Sequence, residues 1–346
     1  MAETESMGAD GSGETAGVRR RWLTAGKALL GLALLAWILG QLEWGRVLDL
    51  AASPSWGWLA LAVVLQAAAK LLWAVRWSEL LTAFDVRRRF RDLLAFVMIG
   101  HFFNSFFPTS MGGDLVRGYY VSEGTSGEEG GLMTSYGVLL VERLLGLAVL
   151  AALAGAGSAY VLLESGEPVP EEWLFAVLAV SFGTAVAIGV LLAWPGTSKL
   201  LTRISGGLPR FGEELARFAA GLGVFHRSRV ATARILLHTV AIQAVAVAFY
   251  VACGHAVDLD APAWVFLVAV PVSIVATLIP VTLNGLGVRE GVLVGFLGAY
   301  GADPDRAGAM VLLALAVSVA FSAAGGLLFP FYRNPRRKVR GAGPPS

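Results

Sequence analysis

The sequence predicts an all-α, polytopic helical membrane protein. Its plan is six full spans plus two oppositely oriented broken, re-entrant hairpins, an inverted-repeat-like arrangement. Three observations predict it. Of 346 residues 56% are hydrophobic and 15% charged, against roughly 25% charged in a soluble domain. Apolar runs recur at about the 20 residues a helix needs to cross roughly 30 Å of hydrocarbon. Finally, Lys and Arg concentrate on alternate loops. A soluble chain of this size cannot bury so much apolar surface, which excludes a cytosolic enzyme, a nucleic-acid binder and a disulfide-framed secreted domain. The single cysteine, Cys253, cannot form an intrachain bridge. His101, His226, His238 and His255 are scattered, so no metal site and no cofactor is expected.

Residues 1–18, rich in Gly, Glu and Ser, read as a disordered cytoplasmic tail. The membrane domain covers 19–332, and 333–346 is a basic cytoplasmic tail. Arg19-Arg20-Arg21 precedes an apolar run over 22–42, too long for a cleaved signal core and therefore read as an uncleaved first span. Further full spans are expected at 56–75, 132–163, 173–194, 235–254 and 307–331. Two long apolar regions are broken: 92–131, at Pro108 and Gly112-Gly113, and 264–300, at Pro271, Pro280, Gly285 and Gly287.

Of the 27 Lys and Arg, 21 fall on alternate segments: three in the N-tail, five in 76–91 (Arg76 included), Arg117, seven in 195–234 and five in the C-tail. This asymmetry places both termini in the cytoplasm of a plasma (inner) membrane. Region 92–131 must then start and end inside, and region 264–300 must start and end outside. Two broken helices entering from opposite faces and meeting near the midplane are the plan of inverted-topology transporters.

The first break reads Asn104-Ser105-Phe106-Phe107-Pro108-Thr109-Ser110-Met111-Gly112-Gly113-Asp114-Leu115-Val116-Arg117. Pro and paired Gly free backbone groups, which lipid tolerates only where protein or a wet cavity satisfies them. A helix restarting after Gly113 aims its N–H groups at the cavity and puts Asp114 in its first turn, with Arg117 on the same face. The alternative is a cytoplasmic turn with a solvated Asp–Arg pair. The second break, Pro280-Val281-Thr282-Leu283-Asn284-Gly285-Leu286-Gly287-Val288-Arg289-Glu290-Gly291, repeats the recipe. Arg289 and Glu290 are adjacent, point to different sides of a helix and need partners elsewhere. Glu142-Arg143, inside the 132–163 span, is one such partner or else a structural ion pair. Lys70 is expected to snorkel to the inner surface without a role. Phe211, Leu215, Phe218, Leu222 and Phe225, spaced 4, 3, 4 and 3, predict a helix lying in the inner interface. No nucleophile–base set, acidic metal pair or phosphate-binding loop is present, so no catalytic activity is expected.

Phe-Phe-Pro-(x)3-Gly-Gly-Asp-(x)2-Arg at 106–117, Val-Glu-Arg-Leu at 141–144 and Pro-Val-Thr-Leu-Asn-Gly-Leu-Gly-Val-Arg-Glu-Gly at 280–291, in that order, resemble the lysylphosphatidylglycerol synthase transmembrane family. The resemblance spans roughly 20–332. It implies a flippase-like protein that moves a lipid with a modified head group between leaflets. The substrate site it implies comprises Asn104, Pro108, Gly112, Gly113, Asp114, Arg117, Glu142, Arg143, Pro280, Asn284, Gly285, Gly287, Arg289 and Glu290. The aminoacyl-transferring domain of the full-length synthases has no counterpart in this sequence, so only the membrane half of their activity is expected. The cargo is then an anionic, aminoacylated or isoprenoid-phosphate-linked lipid of the bilayer. Its phosphate would be held at the two half-helix N-termini with help from Arg143 and Arg289. Two rival expectations are a non-transporting partner of a separately encoded lipid synthase or glycosyltransferase, and a membrane-embedded lipid-phosphate-dependent transferase.

Overall fold

In lipid a long apolar segment satisfies its own backbone only as a helix. The computed structural model follows that rule over the residues it describes: 44–83, 86–106, 112–122, 128–164, 171–205, 219, 222, 228–277 and 287–332. Eleven α-helices are present among them. They are α1 (Trp44–Ala52), α2 (Trp56–Ala83), α3 (Phe90–Phe106), α4 (Gly112–Ser122), α5 (Glu128–Glu164), α6 (Glu171–Ala193), α7 (Pro195–Ser205), α8 (Arg229–Ala256), α9 (Ala263–Ala276), α10 (Val288–Ala299) and α11 (Pro304–Leu328), the last followed by a 3-10 turn, Phe329–Tyr332.

Five stretches are long and apolar enough to cross a membrane: Trp56–Thr82, Gly137–Leu163, Glu171–Leu191, Arg229–Ala256 and Pro304–Tyr332. They correspond to five of the six expected spans. The first span at 22–42 lies outside the described residues, as do both tails, Pro108, Pro280, Asn284, Gly285 and, of the expected interfacial stripe, Phe211, Leu215, Phe218 and Phe225. Leu222 of that stripe is fully buried against protein.

Two expectations are corrected. Arg76 does not open a loop: α2 continues through Ala83, leaving Arg76 buried two turns before its end. Pro271 does not break the second region either. α9 runs through it, with the ring buried among apolar neighbours, and only the one backbone bond that proline cannot donate is given up.

The short helices pair as two hairpins. α3 and α4 run antiparallel: the Gly113 N–H donates to Asn104 Oδ1 at 2.8 Å, Tyr120 stacks on Phe96 with centroids 4.9 Å apart, and Arg88, just before α3, donates to the Val121 carbonyl at 2.6 Å. In the second hairpin Trp264 at the start of α9 meets Tyr300 just after α10, edge to face at 5.3 Å. At 1.5 Å per residue α4 and α10 are only about 16 and 18 Å long, roughly half a hydrocarbon core.

The hairpins open at opposite ends of the molecule. At one end Ser55 N–H donates to the Ala256 carbonyl at 2.8 Å, and Arg306 donates to Val257 and Asp258 carbonyls at 2.8 and 2.6 Å. Arg46 of α1 pairs there with Asp303 and Asp305 at 2.6 and 3.0 Å. The α9–α10 hairpin returns to this end. At the other end Glu79 of α2 pairs with Arg234 and His238 of α8 at 3.0 and 2.8 Å, and Tyr332 reaches Asp92 at the start of α3. The α3–α4 hairpin returns to that end. Each hairpin has its own apolar core. One is built on Val265, Phe266, Leu293, Leu297, Met310 and the buried Cys253. The other is built on Trp77, Leu80, Leu93, Val97, Val141 and Leu145.

Candidate functional site

Polar side chains within apolar helices gather between these two cores, and α2 connects them. On one face of α2, Gln66, Lys70, Trp73 and Trp77 recur at spacings of 4, 3 and 4, which is helical period. Gln66 donates to Ser318 of α11 at 3.0 Å, and Lys70 Nζ lies 3.4 Å from His101 Nε2 of α3. Arg76 pairs with Glu142 of α5 at 2.7 Å and reaches Thr239 of α8 at 3.4 Å.

From Glu142 the chain of charges runs into the first hairpin. Its second carboxylate oxygen lies 3.5 Å from Arg117, which also binds Asp114 at 2.8 Å, the i, i+3 contact that one helical face allows. Asp114 in turn pairs with Arg143. The ions therefore alternate as Arg76, Glu142, Arg117, Asp114, Arg143, with Arg76, Glu142 and Arg117 almost wholly enclosed (side chains 3, 4 and 4% exposed). Arg117 lies over the rings of Trp77 and Trp73, at 5.0 and 5.5 Å, and Arg76 over Trp73 at 5.5 Å. These are cation–π distances.

Close backbone approach lets the hairpin place Arg117. A Cβ at Gly113 would stand 1.8 Å from the Gly100 carbonyl oxygen, and one at Gly100 would stand 2.6 Å from Arg117 Cγ. Side chains at these two positions would push α3 and α4 apart. Nearby, Ser105 hydrogen-bonds Ser322 of α11 at 2.8 Å.

The second hairpin is wired differently from the sequence expectation. Arg289 and Glu290 do not seek partners elsewhere: Arg289 Nη2 donates to Glu290 Oε1 at 2.8 Å, because its long side chain folds back over the first turn. The other Glu290 oxygen accepts the Gly287 N–H at 2.8 Å and caps α10. Gly287 itself has φ +83°, in the left-handed region that favours glycine. Glu142 and Arg143, read as possible partners of this pair or of each other, belong instead to the first hairpin's ion chain. Arg289 remains 34% exposed along its side chain and Arg143 36%. Tyr250 of α8 lies within electrostatic reach of both Arg289 and Glu290.

Of the anticipated site residues, Asn104, Gly113, Asp114, Arg117, Glu142 and Arg143 meet around the first hairpin, with Gly112 opening α4, while Gly287, Arg289 and Glu290 sit together at the start of α10. One amide at each half-helix start is engaged within the protein, Gly113 in the first turn of α4 by Asn104 and Gly287 at the cap of α10 by Glu290. Sequence reasoning missed Lys70, Trp73, Arg76, Trp77 and His101. The signal was present as a polar and indole stripe at helical period along an otherwise apolar span.

Two deficits have one sign. The cations Lys70, Arg76, Arg117, Arg143 and Arg289 number five, and the carboxylates Asp114, Glu142 and Glu290 three, an excess of two positive charges. The segments 107–111 and 278–286 contain no ionisable residue that could redress it. The buried polar side-chain atoms without partners in this cluster, Arg76 Nε, Arg117 Nε and Nη1 and Trp77 Nε1, are all donors. Among the described residues, then, the centre carries more positive than negative charge and more unpartnered buried donors than acceptors. Among the described residues no group of three or more His, Cys, Asp or Glu is gathered as a metal would require.

A family model described as the lysylphosphatidylglycerol synthase TM region matches residues 24–326 of this chain. A protein described as a UPF0104 membrane protein, from Methanothermobacter thermautotrophicus, is 25% identical over 307 residues, covering 83% of this chain and 87% of that protein.

Proposed function

From the premise that the chain belongs to the lysylphosphatidylglycerol synthase transmembrane-region family, a group of multi-pass membrane proteins, we propose that it is a lipid translocase. It takes the head group of an anionic lipid into the centre between the two hairpins and passes it from one leaflet to the other. The observation that carries this reading is the joint surplus, among the described residues, of positive charge and of unpartnered hydrogen-bond donors there. Uncompensated charge within membrane-embedded segments is expensive and commonly marks a transport pathway. A phosphate would remove both deficits at once, and its contacts to guanidinium groups are charge-assisted and strong.

In this mechanism the enclosed chain from Arg76 to Asp114 is the fixed frame. Arg289, about one-third exposed, is a group that meets the phosphate. Arg289 exchanges part of its bond to Glu290 for the phosphate when cargo enters. Acyl chains stay in lipid, alongside the apolar outer faces of α6 and α8, where Phe175, Val180, Phe182 and Leu237 are exposed. Opposed hairpins, each reaching about half the membrane depth, supply the alternating access.

The test is reconstitution of purified protein into liposomes, with a leaflet-accessibility assay on labelled phosphatidylglycerol, its lysyl ester and a polyprenyl phosphate. Wild type should accelerate exposure of one of these lipids, and Arg289→Ala, folded to the same extent, should lose most of that acceleration. Stoichiometric lipid binding without movement would overturn translocation in favour of a lipid-presenting partner of a separate enzyme.

A further inference from the structure

Sequence reading assigns Lys70 no task, but its surroundings in the fold suggest one. It sits on α2 midway between the hairpins, half-buried, with its amine 3.4 Å from His101 of the first hairpin and within electrostatic reach of Arg289 of the second. His101 is itself half-buried, packs on Trp73 at 4.8 Å and lies within electrostatic reach of both Lys70 and Arg117. Among the described residues no carboxylate lies within ion-pair reach of Lys70, whereas each of the four central arginines has one. A cation placed in a span, left without a carboxylate partner and within electrostatic reach of a second cation, is costly in an empty protein. It becomes favourable when an anion lies between them.

We propose that Lys70 and His101, together with Arg289, form the phosphate-binding site of the cargo, so that the phosphate of an anionic lipid bridges the first hairpin's helix α3 to the second hairpin's helix α10 through α2. The assignment rests on the translocase reading and gives that reading a ligand group, the phosphate of a lipid head group. It also explains how binding is communicated. Lys70 and Arg289 repel one another in the empty site and are both attracted to the same phosphate, so cargo draws the two hairpins together.

The experiment uses the full chain in phosphatidylcholine nanodiscs. The probes are dioleoyl phosphatidic acid at increasing mole fraction, dioleoylglycerol as the phosphate-free control, and inorganic phosphate alone. Bound lipid is counted by native mass spectrometry, and thermal midpoints are recorded for Lys70→Met and Lys70→Arg. Wild type should bind phosphatidic acid and not dioleoylglycerol. Lys70→Met should bind it at least tenfold more weakly, and Lys70→Arg within threefold of wild type. Lys70→Met should melt no lower than wild type, because removing an uncompensated cation relieves the empty protein. A Lys70→Met protein that binds within twofold of wild type overturns the assignment. So does one that loses binding and melts lower, because Lys70 would then be structural. Inorganic phosphate that binds alone, with the same dependence on Lys70, and displaces phosphatidic acid at millimolar concentration would transfer the site from a lipid to a soluble phosphate and overturn the lipid assignment. Wild type that neither binds nor moves any anionic lipid refutes the translocase reading itself. Wild type and Lys70→Met moving lipid equally well refutes only the role of Lys70.

Discussion

The two hairpins share a recipe of glycine, a half-helix and an acid–base pair in its first turns, yet they are held by different means. Asp114 and Arg117 of the first are tied across two other helices, to Arg143 and Glu142 on α5 and through them to Arg76 and the indoles of α2. Arg289 and Glu290 of the second are tied to one another and to their own helix cap. A charge fixed by several partners on different elements cannot move without breaking all of them, whereas a self-contained pair can rearrange at the cost of one contact. The first hairpin is therefore a frame, and the second is the part free to answer a ligand.

The sharpest way to break this comparison is to remove one acid from each hairpin's wiring. Glu142→Gln leaves Arg76 and Arg117 enclosed without their shared counter-charge and should cost about 3–5 kcal/mol, seen as a collapse of yield and thermal midpoint in detergent. Glu290→Gln strips only a cap and an Arg that already has access to the surroundings, and should cost about 1–2 kcal/mol. Equal losses would erase the distinction between frame and responder. Packing offers a second contrast. Gly113→Ala drives a methyl against the Gly100 carbonyl and should destabilise by about 1–3 kcal/mol or more, whereas Gly295→Ala on α10 meets nothing within 4 Å and should be silent. Melting curves of the two variants decide it.

Function should divide the other way. Arg289→Ala should leave the melting curve nearly unchanged while lipid movement in liposomes falls about tenfold or more, the range of one lost charge-assisted contact. Among the ion pairs the smallest effect is expected at the open end of the second hairpin. Arg46, half-exposed where it joins α1 to Asp303 and Asp305, should contribute no more than about 1 kcal/mol. Arg46→Ala should therefore shift the thermal midpoint by only a degree or two.

Much of the fold was legible because lipid imposes simple lengths. Five of the expected spans reappear with ends moved by up to seven residues; α10 begins just after Gly287 as expected, whereas α4 begins at Gly112, so that Gly112 and Gly113 form its first turn rather than part of the break. Antiparallel hairpins opening at opposite ends were legible from the alternation of basic loops. Partner choice was not. Spacing showed that Asp114 and Arg117 share a face, but nothing local says that Glu142 turns to Arg76 while its neighbour Arg143 turns to Asp114, because adjacent helical residues diverge by about 100° and meet whatever the tertiary packing brings. Arg289 and Glu290 escaped the same rule through side-chain length. Lys70 was read from its distance along the chain to a basic loop, which says nothing of its neighbours in space: α2 runs on to Ala83, and packing sets the Lys70 amine 3.4 Å from His101.

One buried residue has a practical bearing on every one of these measurements. Cys253 is the chain's single cysteine, and it lies on α8 with no exposed surface, enclosed by the core around the second hairpin. The unaltered protein therefore presents a blank background to thiol-reactive dyes and spin labels. A cysteine pair introduced on the exposed faces of α4 and α10 would carry the entire signal without any prior replacement, and the distance between the two labels would record in real time whether one hairpin moves while the other stays still.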